Sequence, residues 1–256
     1  MSTIYLSPIA GGPLIEYLQN LGHRIRFMQP VSNVAAPVAC HPDMCLCKLG
    51  TCDESPVFYG NTTILDSEYP DDVRYNACCT GRYFIHNLKY TAPELLHACH
   101  LTEYTASDAS NPASKNLHPV GAAAPSILPS ALTAVHVSQG YARCSIIPVT
   151  ETSIITYDQG ITKACRKAGL EVLLIHPGHV LLPGYREGFI GGTCGRIGNQ
   201  ILFNGGLSAH PDFDAIRTFI EEKGLFCVWF DSYPLTDIGS IILDPNDSPD
   251  DDLQNQ

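Results

Sequence analysis

The 256 residues are 45% hydrophobic and 16% charged, a balance that excludes a disordered chain and leaves material for one sizeable core. With 26 acidic and 15 basic residues the net charge is −11, and the absence of a basic run argues against a partner held by phosphate contacts, DNA or RNA. No apolar run nears the ~20 residues of a membrane helix, and the start "MSTIYLSPIAGG" lacks the basic and long apolar stretches of a signal peptide. The eleven cysteines therefore read as reduced thiols, and the cytoplasm is the expected location.

In chain order, "TIYLSP" predicts a strand, "GGPLIEYLQNLG" a helix and "HRIRFMQ" a second strand. "CHPDMCLCKLGTCDESPVFYG" at 40–60 reads as a hairpin without a helix. "DVRYNACCTGRYFIHN" predicts another hairpin, followed by the helix "TAPELLHACH", in which Thr91 and Glu94 have capping-box spacing. The strand that closes this unit, "TAVHV", comes only after residues 102–131, which are rich in Ala, Ser and Pro without period and read as an inserted surface loop.

The stretch 141–175 holds one whole unit. "YARCSIIPVT" and "SIITYD" are strands, and Cys144 sits where the first begins. "QGITKACRKAG" is a helix with Asp158 as N-cap and Gly169 to end it. "LEVLLI" closes the unit, and its apolar run suggests burial on both faces. The order recurs in "GFIGGTCGRIGNQILFNG", the helix "HPDFDAIRTFIEEKG" with Pro211 near its first turn and Gly224 at its end, and "LFCVWF". "DIGSIILD" is a first strand whose partners are missing, and the N-terminus supplies them.

Five strand–strand–helix–strand units, one shared between the chain ends, predict a closed, pseudo-symmetric five-bladed α/β propeller spanning 1–246, with 247–256 as an acidic, poorly ordered tail. "GFIGGTCG" is not GxGxxG, so a dinucleotide site is set aside and no cofactor is expected.

This ring resembles the guanidino-group-modifying superfamily of arginine deiminases, amidinotransferases and dimethylarginine hydrolases. "HPDM", "YPDDVRYNA", "QGYARCS", "GFIGGTCG" and "LTDIGSIIL" look like an uncharacterised bacterial family assigned to that fold. The resemblance implies a cysteine that attacks a guanidinium carbon, a histidine that relays protons and carboxylates that hold the planar cation. The superfamily places its cysteine in the final unit and its histidine in the fourth hairpin, but "DIGSIILD" has no cysteine and "GGTCGRIG" no histidine.

Alignment of the hairpins puts Asp43, Asn76, Cys144, Gly192 and Gly239 at equivalent positions, which a ring would bring to its central channel. Cys144 is then the candidate nucleophile, against a thiol that merely packs. Arg143 is not counted as its activator, since neighbours on a strand face opposite ways. His41 is the candidate relay and Asp43 and Asp72 the candidate carboxylates, although "HPDM" and "YPDD" also suit plain turns. Asn76, Gly191 and Gly192 are candidate substrate-binding positions. His210 reads better as a helix-start residue than as a site residue. The expected function is a cysteine-dependent hydrolase or transferase for a small guanidino or amidino compound. A catalytically silent ring that binds a small cationic or amino-acid ligand is the alternative. Cys40, His41, Cys45, Cys47 and Cys52 leave a metal-binding reading open, though without paired CxxC spacing. The oligomeric state is left open.

Overall fold

The computed structural model describes residues 2–101 and 132–246. The expected insertion at 102–131 and the acidic tail at 247–256 lie outside the described residues. The structure is mixed α/β. Its elements begin with β1 (Thr3–Leu6), α1 (Gly12–Asn20) and β2 (Arg24–Phe27). The hairpin β3 (Leu46–Lys48) and β4 (Val57–Tyr59) follows, then β5 (Cys78–Cys79), β6 (Tyr83–His86), α2 (Pro93–Ala98) and β7 (Thr133–His136). Next come α3 (Ala142–Ser145), β8 (Ile146–Pro148), β9 (Ser153–Thr156), α4 (Gln159–Ala168) and β10 (Glu171–Leu174). The last elements are β11 (Cys194–Ile197), β12 (Gln200–Phe203), α5 (Phe213–Glu221), β13 (Phe226–Val228) and β14 (Ile242–Asp244).

Among the described residues these strands form five small sheets. In three of them an antiparallel pair is followed by a helix and a strand parallel to the second: β5–β6–β7, β8–β9–β10 and β11–β12–β13. The sheet β3–β4 has two strands and no helix. The fifth joins the chain ends, as the missing strands of "DIGSIILD" require: β14 pairs antiparallel with β1, Thr3 opposite Asp244, and β1 pairs parallel with β2. β14 lies against β3 and β11, β3 against β5, β5 against β8, and β8 against β11.

The helices follow their local signals. The Asp158 side chain accepts a hydrogen bond from the Ile161 amide, and Gly169 closes α4 in the left-handed conformation at φ 97°. The inward face of α4 buries Ile161 and Cys165 against Ile85, Ile154 and Val172, worth about 1.5–3 kcal/mol for a large aliphatic side chain.

Three local expectations are corrected. The Thr91/Glu94 capping box does not form: α2 has Ala92 as N-cap without a side-chain bond. Thr91 instead donates to the Asn87 carbonyl and meets His86, while Glu94 accepts from the Tyr75 hydroxyl. β10 is not buried on both faces. It forms the edge of its sheet, with only Val172 fully covered, so its apolar run reflects one packed side and a partly exposed rim. Finally, residues 142–145 form the helical turn α3 rather than the start of a strand. The Arg143 amide donates to the Asn76 carbonyl at 3.0 Å, a tertiary bond that takes the place of strand pairing there. The opposite-faces argument for Arg143 therefore loses its premise.

Candidate active site

The strands β3, β5, β8, β11 and β14 are each preceded by a turn, and the five turns meet. Pro42–Met44 and Gly191–Thr193 are 3-10 turns ahead of β3 and β11. Asn76 lies two residues before β5, Cys144 lies on α3, and Gly239 and Ser240 precede β14. Hydrogen bonds link these turns in succession. The Asp43 amide donates to the Gly239 carbonyl at 3.1 Å. Asn76 Nδ2 donates to the Asp43 carbonyl at 3.2 Å, and the Cys144 amide donates to Asn76 Oδ1 at 3.2 Å. Arg143 Nη1 donates to the Gly191 carbonyl at 3.0 Å, and the Ser240 amide donates to the Gly192 carbonyl at 2.8 Å.

The thiol of Cys144 sits inside this cluster. Its Sγ donates to Asp43 Oδ2 at 3.2 Å and accepts from Asn76 Nδ2 at 3.1 Å. Asp43 Oδ2 also accepts from the Ser240 hydroxyl at 2.6 Å, whereas its Oδ1 has no partner among the described residues. Burial pushes the Cys144 thiol well above its ordinary pKa, and the carboxylates of Asp43 and Asp237 push it further. Burial also raises Asp43, opposed by His41, and raises Asp237 to about 6. Burial lowers the His41 imidazole, with Asp43 acting against the shift.

Cys144 opens on a cleft of about 560 Å³, part of which is open solvent. His41, Glu187 and Asp237 line it with Cys144, and Val38, Met44, Leu182 and Phe189 supply apolar wall. Tyr141 and Tyr185 complete the lining. Tyr141 stacks on Phe189 with centroids 5.5 Å apart and on Tyr69 at 6.2 Å. His41 Nδ1 is 3.8 Å from Asp237 Oδ1, beyond hydrogen-bond range, and its Nε2 is buried without a partner among the described residues. Asp237 accepts the amides of Phe189 and Gly239, each at 2.9 Å.

Of the residues expected from sequence, His41, Asp43, Asn76, Cys144, Gly191 and Gly192 come together, but in two layers. His41 and Cys144 line the cleft, while Asp43 and Asn76 hold the thiol from behind. Gly191 and Gly192 allow close approach. A Cβ on Gly191 would lie 2.3 Å from the Ile146 carbonyl oxygen, and one on Gly192 would lie 2.0 Å from Asp237 Oδ1. Asp72 is set back behind Tyr141, whose hydroxyl it accepts, and does not itself line the cleft. His210 is buried elsewhere, with Nδ1 accepting the Asp212 amide. Cys165 packs in the α4 core.

The sequence reading missed Asp237, Ser240, Tyr141 and Glu187. Ser240 carried a signal only in three dimensions: its φ of 76° is costly for a residue with a Cβ. That conformation lets its hydroxyl reach Asp43. Among the described residues no group of three His, Cys, Asp or Glu side chains could hold a metal. Cys45 Sγ donates to the Pro42 carbonyl and Cys47 Sγ to the Ala77 carbonyl, and Cys52 is exposed.

Residues 10–110 and 124–242 match a family of unknown function (DUF6873). The chain belongs to this family. The match takes in every residue of the cluster and its cleft and omits 111–123, inside the segment read as an insertion. No curated protein and no solved structure matches the chain.

Proposed function

We propose that the five sheets close into an α/β propeller whose central cleft is the active site of a cysteine-dependent hydrolase or transferase acting on a small guanidino or amidino compound. The succession of neighbours among β14, β3, β5, β8 and β11, which returns to its start, supports the ring. The eleven free thiols support a reducing, cytoplasmic setting, and no described helix is long and apolar enough to cross a membrane.

One observation carries the chemical reading. A thiol hydrogen-bonded to a carboxylate lines a cleft whose other charged walls are Asp237 and Glu187. A planar cation satisfies those carboxylates and lies against the sulfur. It also supplies the positive charge that burial withholds from a thiolate, so ionisation of Cys144 accompanies binding.

In the first step the thiol proton passes to Asp43 and a bond forms between Sγ and the guanidinium carbon. A carbon–nitrogen bond of the adduct then breaks, and the departing nitrogen leaves as an amine with the proton that Asp43 took from the thiol, passed on through His41. Water, or an amine acceptor in a transferase, next attacks the same carbon and gives up a proton through His41 to Asp43. The C–S bond breaks, and the departing sulfur takes that proton back from Asp43.

The raised thiol favours one competing reading, a silent ring that only binds a cation. The two are separated by treating the whole protein with 2-chloroacetamidine, a cationic electrophile, and with neutral iodoacetamide, and mapping the alkylated cysteines by mass spectrometry. The enzyme reading expects the amidine to modify Cys144 ahead of the exposed Cys52, while iodoacetamide prefers Cys52. An unmodified Cys144, or equal rates with both reagents, supports the silent ring.

A further inference from the structure

Arg143 precedes Cys144 in the chain, and its side chain crosses to the neighbouring turn rather than to an acidic partner. We infer that Arg143 is a positioning residue of the reaction: its guanidinium holds the turn of Cys144 against that of Gly191 and stands behind the carboxylates of the site without occupying their oxygens. This rests on the reading of the cleft as a cysteine-dependent active site.

The helical turn α3 has four residues, too few to persist by its own hydrogen bonds. Asn76 fixes one side of it, its carbonyl accepting the Arg143 amide at 3.0 Å and its Oδ1 the Cys144 amide at 3.2 Å. The Arg143 guanidinium fixes the other side. Nη1 donates to the Ile146 and Gly191 carbonyls and Nη2 to the Cys194 carbonyl, each at 3.0 Å. Those acceptors lie in β8, in the turn Gly191–Thr193 and in β11, so one side chain joins three segments. The fit is close. A Cβ on Gly191 would lie 2.5 Å from the Arg143 carbonyl oxygen and 2.6 Å from that of Cys144. Only the planar, five-donor fork of an arginine can bridge several carbonyls in fixed directions, and loosening it frees the sulfur to move with α3.

These bonds also leave the site's carboxylates to other partners. Asp43 Oδ2 accepts the Cys144 thiol and the Ser240 hydroxyl, and Asp237 accepts the amides of Phe189 and Gly239. Arg143 does not line the cleft. Burial raises both carboxylates, and the Arg143 charge acts on both in the opposite sense. The other titratable groups around Asp237 are His41 and Asp43 from the turn before β3, Cys144 on α3 and Cys194 at the start of β11. Among these only His41 can also become positive, and burial lowers it. Arginine keeps its charge at every working pH, so it is the permanent cation of this cluster. Placed behind the thiol, it favours ionised carboxylates whose oxygens stay open to a substrate.

NMR titration of the aspartate carboxyl carbons in the full chain, with Asp237 assigned by its loss in Asp237→Asn, reads the charge role without any ligand. The Asp237 midpoint lies at about 6. Arg143→Gln is expected to move it up by about one pH unit, and Arg143→Lys, which keeps the charge, to leave it in place. The positioning role is read from the rate at which 2-chloroacetamidine alkylates Cys144, divided by the iodoacetamide rate at the same residue so that thiol ionisation cancels. Arg143→Lys, which loses the fork, is expected to lower this ratio about 10-fold. A midpoint that Arg143→Gln leaves unmoved, or that Arg143→Lys moves, overturns the charge role. A native ratio in Arg143→Lys overturns the positioning role. If Arg143→Gln does not fold, Arg143→Lys decides alone: an unmoved midpoint with a lowered ratio upholds the inference, and any other result overturns it. An unlabelled Cys144 in the unsubstituted protein, beside a midpoint that Arg143→Gln moves, sinks the enzyme reading and leaves the charge role standing.

Discussion

Cys144 and Cys165 are both buried thiols raised by desolvation, yet they belong to regions built on different principles. Cys165 lies where α4 packs on its sheet, in a cluster of apolar and aromatic side chains. Cys144 lies where the five turns meet, among Asp43, Asn76 and Ser240, each polar and fully buried. The α4 cluster is held by burial of apolar area, which tolerates small changes of shape. The inner cluster is held by hydrogen bonds that leave few spare partners, so loss of one member strands another. Burial alone therefore does not distinguish a packing thiol from a site thiol; the chemistry of its neighbours does.

The sharpest test of that contrast is substitution of each thiol by serine. Cys144→Ser is expected to abolish amidine labelling at the cleft, while its melting temperature shifts little, because a hydroxyl can keep both the Asp43 and Asn76 bonds. Cys165→Ser should leave that labelling intact. Loss of labelling in both variants would erase the distinction.

The next effect is on pH. With the thiol raised well above its ordinary value, the rate of iodoacetamide alkylation at Cys144 should climb about tenfold per pH unit from about pH 7 to 9 without a plateau. A plateau below pH 8 would mean a low-pKa thiolate. At the other end of the scale, Asp237 titrates at about 6. Above that pH it is charged and below it is neutral, so cation binding measured by calorimetry should weaken as pH falls through about 6.

Two stability measurements give the smaller effects. Asn76→Ala leaves the Cys144 amide and the Asp43 carbonyl without partners and should cost about 3 kcal/mol in urea unfolding. Cys165→Ser places a hydroxyl among aliphatic side chains and should cost about 1.5 kcal/mol. A larger loss at Cys165 than at Asn76 would reverse the ranking of the two regions.

Much of the fold was legible because its signals are local. Asp158 and Gly169 bracket α4, and the incomplete "DIGSIILD" pointed to a partner at the other end of the chain. Alignment of the repeated hairpins was enough to bring Asp43, Asn76 and Cys144 to one place. The rest depends on tertiary context. The turn at 142–145 carries apolar and polar residues that suit a strand equally well, and the Arg143–Asn76 backbone bond fixes it otherwise. Thr91 and Glu94 have the spacing of a cap, but His86, Asn87 and Tyr75 offer them nearer partners. Asp237 shows its importance only when Phe189, Gly192 and His41 are set around it by three different turns.

The pairing of β1 with β14 also sets an order in synthesis. β1 stays without this antiparallel neighbour until β14, far later in the chain, has been added. The stretch just ahead of β14 carries Asp237, Gly239 and Ser240, which complete the surroundings of His41 and Asp43. A nascent chain therefore holds Cys144 and His41 long before it holds the cleft. Contacts between residues so far apart in sequence form slowly, so the polar surroundings of Cys144 are completed late in folding.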